Sequence, residues 1–231
     1  TDVTGNYEIA YVPGDLTILK RGSENDPNGP VTITPGDRRK VYDAQPYALA
    51  QGETEDGYYA LQNGAGNAFT ITGLIAGDRV QAGTAQLAVT DGNGGQISAV
   101  DADTYSIEVS TELALYDADG VNVTDNYEIT YETGTLTIAK RPVTLTANDN
   151  LGIVYDGKPH GENGVTPSQS GEGTGLVAGH TFAYDIDFEA TDVGLYADAL
   201  AIDESTVVIL DGETDVTGNY EIAYVPGDLT I

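Results

Sequence analysis

The chain is 231 residues long, enough for one large or two medium domains with a real core. Its 37 Asp and Glu against 9 Lys and Arg give a formal net charge of −28, so neither nucleic acid nor an anionic membrane surface is an expected partner. A hydrophobic fraction of 40% argues against disorder, and the absence of Cys excludes disulfides, thiolate catalysis and thiolate metal sites. No apolar run approaches the roughly 18 residues that cross a bilayer, so no membrane insertion is expected in this segment. No leader is recognisable, and a chain that begins at Thr1 reads as a mature piece or an excerpt. Gly at 29, Tyr at 15, abundant Thr and no Trp favour strands and turns, an all-β chain.

Residues 1–18, TDVTGNYEIAYVPGDLTI, recur letter for letter at 214–231, and a diverged copy, VTDNYEITYETGTLTI, occupies 123–138. The Asn-Tyr-Glu-Ile motif therefore starts at Asn6, Asn126 and Asn219, with spacings of 120 and 93 that sum to a period of 213. This spacing predicts an alternating array. Residues 1–18 are the closing hairpin of a preceding short module B, 19–138 a long module A, and 139–231 a short module B.

In module A, the 22–29 stretch reads as an acidic, Gly- and Asn-rich loop insertion before the strand at Pro30-Val-Thr-Ile33. Val41-Tyr42-Asp43 and Gly73-Leu-Ile-Ala-Gly77 answer Val154-Tyr155-Asp156 and Gly175-Leu-Val-Ala-Gly179 of module B. Further A-specific insertions are expected at 52–68 and 91–99. From Asn126 to Ile138, Tyr127, Ile129 and Tyr131 alternate with polar residues, then Leu136 and Ile138 do the same beyond Glu132-Thr133-Gly134. That pattern reads as a β-hairpin, repeated at 220–231 around Pro226-Gly227. The strand ending at Ile138 runs through Ala139-Lys140-Arg141-Pro142 into another alternating strand, with no flexible linker. So short a joint, stiffened by Pro142, favours a rod over beads on a string. The other joint, Leu19-Lys20-Arg21, should be looser or covered by the insertion.

Lys20-Arg21 and Lys140-Arg141 occupy equivalent joints. Either they pair with acidic loops of the neighbouring module and set its orientation, or they are solvated charge. Asp101 and Asp103, and Asp117, Asp119 and Asn122, resemble fragments of calcium-binding loops, where oxygen ligands gather at a Gly turn; solvated turns are the other reading. A structural calcium is the one cofactor to be considered, and otherwise none is expected. His160 and His180 lack companions for a zinc site. No nucleophile elbow, phosphate loop or dinucleotide fingerprint is present, and duplication without an added catalytic insert points to architecture rather than to an enzyme. Tyr side chains alternating with Ile read as core; Tyr58-Tyr59 is the best exposed pair for ligand or lateral contact.

The segments VTLTANDNLGIVYDGKPHGENG (143–164), GLVAGHTF (175–182) and DVTGNYEIAYVPGDLTI resemble the YDG/MBG-type tandem repeats of bacterial cell-surface adhesin-like proteins. The resemblance covers nearly all of module B and both ends of A; A departs with Asp43-Ala44 where B has Asp156-Gly157. It implies extracellular, surface-bound or secreted modules that are small β-sandwiches of immunoglobulin-like kind, with a β-grasp-like module as the alternative. The expected function is a structural segment of a fibre or adhesin stalk whose partners are neighbouring repeats of the same chain. Lateral self-association through 22–29, 52–68 and 91–99 is a further expectation. The rival reading is a ligand-binding adhesin module that grips glycan or host protein through the long loops of A. The phase of the repeat favours one long chain over strand exchange between short ones, because the closing element of B is already supplied at 214–231.

Overall fold

The computed structural model describes residues 1–50, 54–55, 58–59, 68–81 and 86–231, with the backbone alone at 54–55 and 58–59. Within them the fold is all-β, its only helical elements being four 3-10 turns. The first set of strands is β1 (Val31–Pro35), β2 (Arg38–Val41), β3 (Thr54–Glu55), β4 (Tyr58–Tyr59), β5 (Phe69–Thr72), β6 (Arg79–Val80), β7 (Leu87–Thr90), β8 (Thr104–Val109), β9 (Leu115–Tyr116), β10 (Ile129–Tyr131) and β11 (Gly134–Ala139). The second set is β12 (Arg141–Ala147), β13 (Val165–Pro167), β14 (Thr181–Ala183), β15 (Leu195–Leu200), β16 (Val208–Asp211), β17 (Thr214–Asp215), β18 (Tyr220–Val225) and β19 (Gly227–Thr230).

Period-2 alternation places the strands as the sequence leads one to expect. β1 buries Val31, Ile33 and Pro35, β12 buries Val143, Leu145 and Ala147, and β11 buries Leu136 and Ile138, with the intervening residues turned toward solvent. β1 lies between a parallel β10 and an antiparallel β5, and β12 lies in the same senses between β18 and β13. Val31 faces Ile129 across the first parallel pair, and Val143 faces Ile222 across the second. β11 runs between a parallel β2 and an antiparallel β8, with β7 outside; β19 pairs antiparallel with β15 and makes a single parallel bridge, Asn150 to Leu229.

The expected hairpins do not form. β10 and β11 are two residues apart in sequence yet join different sheets, as do β18 and β19. Period-2 patterning states which face of a strand is buried, not which strand it pairs with. By crossing between sheets, Tyr127 and Ile129 on one side and Leu136 and Ile138 on the other enter the same core from different sheets, where a hairpin would place both in one; Tyr131 stays exposed. The crossing brings backbones close together. A Cβ on Gly134 would stand 2.6 Å from Pro35 O, and one on Gly227 2.7 Å from Ala147 O, so only glycine fits.

Residues 1–18 are likewise no hairpin; they hold one 3-10 turn and no strand. Their identity to 214–231 separates local from tertiary causes. The turn is formed in both copies and at 124–126, entered through Val3 (φ −113, ψ 9), Val123 (φ −118, ψ 12) and Val216 (φ −119, ψ 14). Tyr7, Leu16 and Ile18 are exposed, whereas their twins Tyr220, Leu229 and Ile231 are buried against β12 and β15. The turn is therefore fixed by its own residues and the strands by their partners.

The 22–29 insertion leaves the ladder unbroken. Arg21 N–H donates to Asn126 O (2.8 Å) and Glu128 N–H to Arg21 O (2.8 Å), and Val31 N–H then donates to Glu128 O (2.9 Å). A loop thus separates Arg21 from Pro30 where β12 has Arg141 and Pro142 side by side. Asp26 staples it, accepting from the amides of Asn28 and Gly22, which hold its carboxyl down to about 2.

The buried residues of both sets form one cluster, from Val31 to Ile231. A single residue, Lys140, separates β11 from β12.

Candidate functional site

β12 begins on Arg141, and its first residues stand where the two strand sets meet. Arg141 is buried, and its guanidinium donates to four carbonyl oxygens: Nε to Gly175 (2.7 Å), Nη1 to Tyr42 (3.3 Å), and Nη2 to Gly171 and Thr174 (both 2.7 Å). Three of these oxygens belong to the turn of its own set, and Tyr42 belongs to the other. The expectation that the joint cations pair with acidic loops is therefore corrected for Arg141. Its planar fork matches several converging carbonyls, whose dipoles compensate the buried charge.

Around it, Tyr42 is 1% exposed and stands edge-on to Tyr220, with ring centroids 5.7 Å apart. Tyr220 accepts the Val177 amide at its Oη (3.1 Å) and faces His180 Nδ1 at 2.7 Å. On its other side, His180 Nε2 lies 3.8 Å from Asp211 Oδ2. Burial raises the Tyr42 hydroxyl above the usual phenol range, with neighbouring Tyr220 adding to it; burial also raises Tyr220. Asn219, also buried, closes the contact: it accepts from Ala102 N–H at Oδ1 (2.6 Å) and donates from Nδ2 to Asp101 Oδ1 (2.9 Å). Every polar group here is used, and the arrangement fixes one strand set against the other.

The first set carries the same receiving machinery. Arg21 Nε donates to Gly73 O (3.2 Å), as Arg141 does to Gly175 O. Tyr127 Oη accepts the Ile75 amide (3.3 Å) and donates to Asp78, the position that His180 takes in the second set. Burial, and then that bond to Asp78, push the Tyr127 hydroxyl up to about 12. Arg21 also lies 3.6 Å from Asp26 of the insertion, an acidic loop of its own module rather than of a neighbouring one.

The remaining expected residues fall as follows. Lys20 and Lys140 are exposed. Pro142 is the second residue of β12; its ring nitrogen, lacking a hydrogen, faces the 171–175 turn, where its carbonyl accepts Gly175 N–H (2.9 Å). The backbone of Tyr58 and Tyr59 forms β4, paired with β3, while their side chains and most of the 52–68 insertion lie outside the described residues. Asp117 accepts the amides of Asp119 and Val121, Asn122 accepts that of Thr124, and Asp103 accepts that of Thr104, so these oxygens staple their own turns. Among the described residues no three His, Asp or Glu side chains gather as metal ligands, so the five calcium candidates are not brought together. His160 bonds Asp156 (2.9 Å).

Sequence reasoning missed Ala102, Asn219 and His180 as junction residues. The available signal was the thrice-repeated Asn-Tyr pair, whose Asn closes a 3-10 turn each time and is free to hold something beyond it. No protein-family model, curated protein or solved structure matches this chain.

Proposed function

We propose that the chain is a structural segment of an extracellular bacterial fibre or adhesin stalk, built from alternating long (19–138) and short (139–231) β-sandwich modules with a period of 213 residues. The observation that carries this reading is the junction at Arg141. A one-residue link, a guanidinium shared between both strand sets and the Asn219 clamp on Asp101–Ala102 are what a rod needs at each joint. A flexible tether would leave such groups in water. The matched sheets β10–β1–β5 and β18–β12–β13 support two modules of one kind, and the identity of 1–18 with 214–231 supports their alternation. The resemblance to tandem surface repeats agrees with both. The acidic charge, carried once per period, keeps the surface hydrated and neighbouring rods apart. Electron microscopy of chains containing two, three and four periods tests the reading: straight particles that lengthen by a constant step support it, and bent strings of globules refute it.

A further inference from the structure

The chain contains one complete junction and, at separate places, the two halves of another. In the complete junction, the Tyr42 turn and Asp101–Ala102 are presented to Arg141, Val177, Asn219 and Tyr220. Each presenting element has a counterpart in the second strand set. Tyr155-Asp156-Gly157 repeats the turn of Tyr42-Asp43-Ala44: the third residue has positive φ in both (Gly157 74°, Ala44 59°), and the Asp accepts the amide two residues on, from Lys158 (3.0 Å) and Gln45 (2.9 Å). Asp192–Val193 repeats Asp101–Ala102. Tyr196 Oη donates to Asp192 O (2.9 Å) as Tyr105 Oη does to Asp101 O (3.0 Å), and Ile231 N–H donates to Gly194 O (3.1 Å) as Ile138 N–H does to Asp103 O (2.9 Å). The receiving residues Arg21, Ile75, Asn126 and Tyr127 repeat Arg141, Val177, Asn219 and Tyr220 through the bonds already described.

Exposure separates the filled junction from the unfilled one. Tyr42 is 1% exposed and Asn219 6%, whereas Tyr155 is 57% exposed, Val193 72% and Ile75 52%, and Asn126 faces solvent. Leu151 and Val154 extend the uncovered apolar patch beside Tyr155. On the receiving side, Arg21, Ile75 and Asn126 line an open concavity of about 800 Å³, whose other wall is Ile18, Leu19 and Lys20 at the end of the leading segment. Large apolar side chains bare on one side and an unfilled hollow on the other are the two faces of a single missing contact.

We infer that Tyr155 and Asp192–Val193 of one copy dock in the Arg21–Asn126 concavity of the next copy. There Asn126 donates from Nδ2 to the Asp192 carboxylate and accepts Val193 N–H at Oδ1, while the Tyr155 ring stands against Tyr127 and Arg21 reaches the Tyr155 carbonyl. The occupant is a second copy of this chain because the surface continues an interface the chain already makes with itself. The eighteen residues shared by 1–18 and 214–231 set the phase in which Leu19 of the next copy follows Ile231. The inference rests on the array reading proposed above and adds to it the atoms of the second joint.

The test is hydrogen–deuterium exchange at Val193, read by NMR in a two-period chain (residues 1–231 followed directly by 19–231) whose first period alone is isotope-labelled. In the 231-residue chain the Val193 amide has no partner among the described residues and should exchange fast. In the two-period chain it should slow by about 100-fold or more, toward the Ala102 amide of the filled junction. Asn126→Ala in the second period, an exposed position that the fold does not need, should restore fast exchange at Val193 and leave Ala102 protected. Equal exchange of Val193 in both chains, or protection that survives Asn126→Ala, overturns the inference. Micrographs of the same chain separate the two failures: a straight two-period rod with an unprotected Val193 sinks this contact alone, and a jointed pair sinks the array reading with it.

Discussion

Arg141→Ala removes one buried guanidinium and strands four carbonyl oxygens. Two of them, at Gly171 and Thr174, belong to exposed residues and can turn to water. The other two, at Gly175 and Tyr42, sit in buried residues 2.7 and 3.3 Å from the lost donors and have no substitute. At about 1–3 kcal/mol for each acceptor left unsatisfied, the loss is about 3 kcal/mol. Arg21→Ala removes only a 3.2 Å bond to Gly73 and a loose, part-buried 3.6 Å contact to Asp26, a loss of about 1 kcal/mol or less. For a chain of this size each kcal/mol moves the melting temperature by about 2–4 °C, so differential scanning calorimetry should show a drop of about 6–12 °C for Arg141→Ala and at most about 4 °C for Arg21→Ala. Arg141→Lys, a point charge that reaches fewer carbonyls, should fall between them. Equal shifts for the two Ala variants would refute the reasoning, because it assigns the difference wholly to burial and to the second strand set's turn.

Tyr42→Ala should cost about 3–5 kcal/mol by urea unfolding, since a fully buried ring is deleted, while Tyr155→Ala in the 231-residue chain should stay within about 0.5 kcal/mol. Ala44 holds φ 59 where its counterpart is Gly157, so Ala44→Gly should stabilise by about 0.5–1 kcal/mol after the entropy cost of glycine, and Gly157→Ala should destabilise by about 1 kcal/mol. Gly227→Ala drives a methyl against the Ala147 carbonyl and should cost about 2–3 kcal/mol, again by urea unfolding. Tyr127 keeps its proton up to about pH 12, whereas an unfolded tyrosine loses it near pH 10. The folded state thus binds the proton more tightly, so this contribution is complete below about pH 10 and is lost as pH rises toward 12. Phenolate absorbance should show several late-titrating tyrosines, Tyr42, Tyr127 and Tyr220 among them, one of which moves earlier in Asp78→Ala; an unchanged titration would contradict the assignment.

Much of the fold is legible in the letters. The alternation in VTLTA and GTLTI gives the buried faces of β12 and β11 directly, and the Thr-Gly-Asn turn forms even where no strand follows it. Pairing partners are not legible, because the same alternation serves a hairpin or a crossing between sheets; the glycines at 134 and 227 mark the crossing only once the opposing carbonyl is known. At the junction, composition was misleading. With 37 carboxylates available, an arginine reads as a partner for one of them, and nothing in the local sequence states that four carbonyls converge on Arg141. Tyr42 was visible as a shared landmark, but its burial arises from Tyr220 and His180, which lie far along the chain.

The central claim is that the two strand sets are held at one fixed orientation across Arg141. Residual dipolar couplings from backbone amides of 31–50 and 86–139 on one side, and of 141–231 on the other, measure that orientation in solution. A single alignment tensor fitting both groups, with the magnitude for one group reduced only in Arg141→Ala or Tyr42→Ala, is the predicted result. Separate tensors of clearly different magnitude in the unaltered chain would contradict the account, because they would mean that the joint swings freely despite its buried contacts.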